Sequence, residues 1–275
     1  MNQMNQTPVS VKQLFEGSLN TLHRQTDRIF VIVLLVQWLL GILLSILFSP
    51  YTWSGTQSTI HPHVYAAIFF GGLLTSLPCC LAIIRAGERS TRILIASAQM
   101  LYSGLLIHLM GGRIEAHFHI FGSLAILAFY RDFWVFVPAI AIVVSDHLVR
   151  SLFWPETVFG VLQAAPWRAV EHAAYVAFES YFLLWGVTQG RKQLWNLAVS
   201  KLETEIERDS LETRVADRTA DIDASRQFLK SVLDSVDGNI CILSEDGTIV
   251  SQNFGWSEFN LTNNGSESKT GTGAN

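Results

Sequence analysis

The residues with the most chemistry to offer are imidazoles and carboxylates set within apolar sequence. Glu115, His117 and His119 open one apolar run, Asp146 and His147 lie in the next, and Glu171, His172 and Glu179 lie in a third. His61, His63 and His108 stand near the ends of two earlier runs. Imidazole with carboxylate is a ligand set for zinc, iron, copper or nickel, and a carboxylate beside a histidine can orient its other ring nitrogen. Histidine also titrates near neutral pH. A transition metal, a haem or a proton is therefore the expected signal or cofactor. His117, His119, His147, His172, Glu115, Asp146, Glu171 and Glu179 are the candidate metal ligands; His63 and His108, near the predicted surface, weigh less. His172 and Glu179, seven apart, share a helical face, as do Glu115 and His119, four apart. His117 and His119 share no face of a regular helix, so they reach one centre only if that helix starts late or is distorted. The plainer use of such groups is a hydrogen-bonded cluster that fixes helix packing, and Asp146 has a plain partner in Arg150, four residues on.

These residues need apolar elements to hold them. The chain has 275 residues, 49% hydrophobic, with a net charge of −4. Its charge is uneven: residues 1–190 hold 10 Lys+Arg and 9 Asp+Glu, and residues 191–275 hold 9 and 14. A single soluble globule is excluded, since such domains are about 25% charged throughout. The near-neutral balance gives no electrostatic case for nucleic acid. Three cysteines, two of them adjacent, make no disulfide framework; Cys79 and Cys80 after Pro78 read as small-residue packing at a kink.

A membrane helix takes about 20 apolar residues. Six runs qualify: about 29–49, 63–84, 93–110, 115–130, 133–153 and 167–189, the fourth being short. Lys and Arg in the connecting segments favour one side, with Lys12, Arg24, Arg28, Arg85, Arg89, Arg92, Arg131, Arg191 and Lys192 against Arg113, Arg150 and Arg168. The positive-inside rule then puts both ends in the cytoplasm and most of the histidines toward the outside. The expected fold is an all-α polytopic bundle in a bacterial inner membrane, its His/carboxylate pocket opening outward. Ionisable groups at such depth cost about 2.5–3.5 kcal/mol each and usually face a partner or cavity.

Beyond residue 190 the apolar residues Val199, Leu202, Ile206, Leu211, Val215, Ile222, Leu229, Val232 and Val236 recur mostly at steps of three and four. This is a phase-broken heptad pattern, and it predicts a homodimer through 190–236. Asn239–Leu243 and Thr248–Ser251 read as two strands around the turn Ser244–Gly247, with a short helix over Phe254–Leu261. Thr262–Asn275 reads as disordered or cut off.

Leu229–Val236, Ile240–Leu243 and Asp246–Val250, with Asn253 and Trp256 through Phe259, together resemble the opening of a PAS domain. Leu211–Thr219 resembles the signalling helix of bacterial sensor histidine kinases. Gly111–Ser123, Phe129–Asp132 and Asp146–Leu148 are similar to the multispan sensor region of PAS-containing kinases. The resemblance covers roughly 60–260. Together with the apolar runs it gives a cytoplasmic N-terminal segment 1–28, a six-helix transmembrane sensor domain 29–189, a signalling helix 190–228 and a truncated PAS-like domain 229–275. It also implies an input module that relays to a histidine kinase absent from this chain, and no catalytic residue here. The competing function is a membrane metal- or haem-dependent oxidoreductase subunit.

Overall fold

The computed structural model describes residues 10–162, 165, 167–266 and 270–274. The start of the expected N-terminal segment and part of the polar run Thr262–Asn275 lie outside these residues. The chain divides into two compact units, Met1–Leu202 and Glu203–Asn275.

The first unit is helical apart from one hairpin. α1 (Val11–Phe48) begins well before its apolar run. The signal was legible: Ser10 and Gln13 form a reciprocal capping box, Ser10 Oγ accepting from the Gln13 amide and Gln13 Oε1 from the Ser10 amide. At 1.5 Å per residue α1 is about 57 Å long, well beyond the roughly 30 Å of a hydrocarbon core. Its first half buries polar groups instead. Asp27 accepts from the Gly87 amide at 2.6 Å and the Tyr130 hydroxyl at 2.7 Å, and His23 Nε2 meets the Tyr130 carbonyl at 3.0 Å. Tyr130 in turn stacks on Phe30.

A hairpin of β1 (Tyr51–Ser54) and β2 (Gln57–Ile60) follows, turning at Gly55. It was not expected from the sequence. Next come α2 (Pro62–Ile84), α3 (Arg89–Leu109) and α4 (Ile114–Leu127), then the 3-10 turns Ala128–Tyr130 and Phe133–Val135, α5 (Phe136–Phe153), the short α6 (Glu156–Phe159) and the start of α7 (Trp167–Asp234). Pro78 lies inside α2, with Cys79 buried and Cys80 exposed. Among the described residues four helical stretches are long and apolar enough to cross a membrane: α1, α2, α3 and Phe133–Phe153. Ile114–Tyr130 is apolar but shorter. The expected count was six. The first part of α7, which carries Glu171, His172 and Glu179, is not among the four. Large apolar side chains such as Leu39, Phe69 and Phe178 face outward, as lipid contact requires, while Phe30, Ile95, Leu124, Tyr130 and Phe136 are fully buried between the helices.

Two connections fix the bundle's ends. α3 stops in a Schellman arrangement: the Gly112 amide donates to the Ile107 carbonyl at 2.9 Å and the Gly111 amide to the His108 carbonyl at 3.0 Å. Both glycines have positive φ, and Gly112 lies directly against the backbone of Glu156 and Val158. At the other end, Asp132 caps the turn that leads into α5, its Oδ1 accepting from the Trp134 amide, and its Oδ2 accepts from Arg92 Nε at 2.6 Å. Burial works against the Asp132 charge, but the amide and the guanidinium outweigh it and hold the carboxyl below the usual carboxylate range. Arg131, in the left-handed region, donates to the Gly190 carbonyl at 3.0 Å, and Arg191 donates to the Arg131 carbonyl at 3.1 Å.

In the second unit, the remainder of α7 leaves Ile206, Leu211, Val215, Ile222 and Leu229 exposed. β3 (Cys241–Leu243) pairs antiparallel with β4 (Ile249–Gln252), and α8 (Phe254–Thr262) follows. Asp246 organises the turn by accepting from Ser244 Oγ and from the amide and hydroxyl of Thr248, which keeps its carboxyl below the usual range. Asn253 caps α8 through the Trp256 amide and also bonds Ile240, Leu233 and Gly238. Within the expected disordered tail, residues 270–274 return to the hairpin: the Ile249 amide donates to the Ala274 carbonyl, and Gly273 donates back to the Ile249 carbonyl.

Candidate functional site

α4 is a regular helix from Ile114. Two residues turn a helix by about 200°, so His117 and His119 face different partners. His117 is buried and meets His147 of α5 and His172 of α7, with ring centroids 5.4 and 5.3 Å away; the latter two rings lie 6.0 Å apart. Each ring is oriented in the same way. Nδ1 of His117 faces the Arg113 carbonyl at 3.0 Å, Nδ1 of His147 the Val143 carbonyl at 3.1 Å and Nδ1 of His172 the Arg168 carbonyl at 2.9 Å, each four residues back along its own helix. A carbonyl offers only lone pairs, so each Nδ1 carries the hydrogen and each Nε2 is left with its lone pair. Nε2 of His117 is buried with no hydrogen-bond partner.

Behind His147, Asp146 Oδ2 lies 3.4 Å from Nδ1 and 2.5 Å from Arg150 Nη2. Arg150 also reaches the Gly104 and Thr157 carbonyls, tying α5 to α3 and to α6. In front of the three rings is a cavity of about 570 Å³, lined by Glu171 and Arg168 and by apolar groups including Ile114, Phe118, Phe159 and Tyr175. Phe159 packs edge-on against His172. A smaller apolar cavity of about 200 Å³ also touches His147 and His172.

His119 belongs to a different network. Its Nε2 accepts from Gln37 Nε2 at 2.9 Å, and its Nδ1 meets Ser103 Oγ at 2.8 Å. Gln37 and Gln99 exchange two 2.9 Å amide bonds, and Ser123 donates to Gln99. Both His119 nitrogens are thus occupied, leaving no lone pair for a metal. His61, His63 and His108 form a separate stack, with centroids 4.2 and 4.9 Å apart, in which His63 Nδ1 is buried and unpartnered. Glu115 is exposed. Glu179 buries one carboxylate oxygen without a partner, beside an equally unpartnered Ser180 hydroxyl. Of the ten sequence candidates, the structure therefore gathers His117, His147 and His172, with Glu171 on the cavity wall and Asp146 behind. Among the described residues no group of three His, Cys, Asp or Glu side chains is placed to hold a metal ion as it stands. Sequence reading missed Arg168, Phe159 and Tyr175 of the cavity wall, and Gln37 and Gln99. A glutamine in each of two apolar runs was the available sign.

These features define a protein of membrane-type helices with a mainly apolar cavity, edged by imidazoles, where its longest helix begins. Over 90 residues it is 37% identical to the transducer protein Htr8 of Halobacterium salinarum, a match covering 32% of this chain and 14% of that protein. The chain thus spans a small part of the curated relative it matches. No family model matches the chain, and no solved structure gives a significant match. The apolar helices and the likeness to a transducer together support a membrane protein of signal transduction. Neither a PAS domain nor a histidine kinase emerges from these comparisons.

Proposed function

We propose that the chain is the input region of a membrane signalling receptor, with the imidazole-lined cavity as the place where the signal enters. In this reading Ile114–Tyr130 and the first turns of α7 complete six spans in a bacterial inner membrane, with both termini cytoplasmic. The remainder of α7 pairs with a second copy through 190–236 and passes the state of the bundle to the PAS-like segment 229–275, and from there to a histidine kinase that these residues do not include. The observation that carries the reading is the continuity of α7: the helix that contributes His172 to the cavity runs unbroken to Asp234. The likeness to a transducer protein supports it. A signal must favour one arrangement of the bundle over another to be transmitted.

Cysteine cross-linking in native membranes tests this. With Cys79, Cys80 and Cys241 replaced by Ser, single cysteines at Leu211, Val215 and Ile222 should cross-link two copies, and one at Arg214 should not. A His172→Gln change should alter those yields. Uniform or absent cross-linking, or yields indifferent to His172, would overturn the proposal.

A further inference from the structure

The geometry points to a three-imidazole site for a divalent first-row transition ion of the zinc type, held by Nε2 of His117, His147 and His172, with its remaining position open to the 570 Å³ cavity. This assignment deepens the receptor reading, on which it rests for its role but not for its chemistry.

Three observations carry it. All three rings are locked in one tautomer by carbonyls four residues back, which leaves the lone pair of each on Nε2, and the rings themselves are gathered from α4, α5 and α7. Ligating histidines are characteristically fixed in this way, the nitrogen not on the metal donating to a carbonyl or carboxylate. His147 has both kinds of acceptor, Val143 and Asp146. Next, the buried Nε2 of His117 has no partner, and an unmet polar atom at that depth is costly unless something fills its place. Finally, the spacing fits. With metal–nitrogen bonds of about 2.0–2.1 Å, a ring centroid sits about 3.2 Å from the ion, so tetrahedral ligands have centroids about 5.2 Å apart and trigonal ones about 5.5 Å. Two of the three separations, 5.3 and 5.4 Å, fall in that range. The third, 6.0 Å between His147 and His172, is wider. Closing it takes an approach of about 0.5–0.8 Å between α5 and α7 on the same geometry. Binding would therefore draw the beginning of α7 inward, the differential contact that a signal requires.

The same spacing disfavours a haem clamped between His117 and either neighbour. Axial imidazoles on opposite faces would have centroids about 6.4 Å apart, from the same bond length, and the two pairs that include His117 lie at 5.4 and 5.3 Å.

The test is metal binding by the full chain, purified in detergent with no histidine tag and stripped with chelator. The probe is Zn²⁺, read by chelator competition and elemental analysis. The expected result is one Zn²⁺ per protomer. His117→Gln, His147→Gln and His172→Gln should each weaken binding by at least about tenfold and Asp146→Asn, a positioning change, by about 10–100-fold. His61→Gln should leave affinity unchanged. Zinc absorption spectroscopy of the wild type needs no variant and should count three imidazoles. A folded wild type that binds no Zn²⁺, undiminished binding in the three ring variants, fewer than three imidazoles, or a stoichiometric haem absorbance as purified would each overturn the assignment. The receptor reading fails separately: Zn²⁺ bound at these residues without effect on α7 cross-linking sinks the receptor and keeps the site, while cross-linking sensitive to His172 in a protein that binds no Zn²⁺ does the reverse.

Discussion

Replacing Gly112 by alanine separates two effects that usually travel together. Gly112 has φ +75°, and an added Cβ would lie 2.8 Å from the Glu156 carbonyl oxygen and 2.9 Å from Val158 C. Both are backbone atoms and cannot swing aside. Its neighbour Gly111 has φ +68°, yet a Cβ there meets nothing within 4 Å. Gly111→Ala therefore costs only the left-handed conformation, about 1–2 kcal/mol. Gly112→Ala costs that and an overpacking penalty of about 1–3 kcal/mol. The segment that must yield is α6, whose Phe159 packs on His172 and walls the cavity. The assay is equilibrium unfolding of both variants from mild detergent, followed by circular dichroism and referenced to wild type. Gly112→Ala should be the less stable by about 1–3 kcal/mol. Equal destabilisation within about 0.5 kcal/mol, the error of comparing such sites, would refute the close backbone approach.

Two further outcomes follow from the buried polar pairs. Asp132 has its folded-state pKa lowered, so the stability it contributes is fully present above the unfolded carboxylate value and is lost as pH falls through the lower folded value; acid titration of unfolding should show this loss in wild type, and Asp132→Asn should flatten it while lowering neutral-pH stability by about 1–3 kcal/mol, because Arg92 loses its carboxylate and keeps only the Gly87 carbonyl. Gln37→Leu strands Gln99 and His119 and should cost about 1–3 kcal/mol, whereas Gln37→Leu with Gln99→Leu should cost less than the sum of the two single changes; strict additivity in the same unfolding assay would count against a shared network.

The apolar runs were legible as membrane-type helices because run length and charge depletion are properties of the sequence itself. Site membership was not. His117 and His119 look alike in sequence, and only the regular start of α4 at Ile114 decides that one faces the cavity and the other Gln37. Glu115 and His119 do share a helical face, but sharing a face does not place both beside the same neighbour. The first half of α1 read as a polar segment because Asp27 and His23 look solvated until Gly87 and Tyr130 come from distant sequence to meet them. The hairpin at 51–60 carried too weak an alternation to be read. The strands at Cys241–Leu243 and Ile249–Gln252 were legible because their turn residues are local.

The double clasp between Arg131 and α7 has a mechanical consequence. Arg131 holds the Gly190 carbonyl and Arg191 holds the Arg131 carbonyl, and a Cβ on Gly190 would come within 3.0 Å of Arg131 Nε. A helix clasped twice to one neighbouring residue at one level resists sliding along its axis more than rocking about that level. Gly190 is thus a fulcrum, with His172 on one arm, about 27 Å away at 1.5 Å per residue. A sideways pull on the imidazole would reach the far arm as a strain on the contacts that α7 makes just past that level, Trp195 on Phe15 and the buried Ala198.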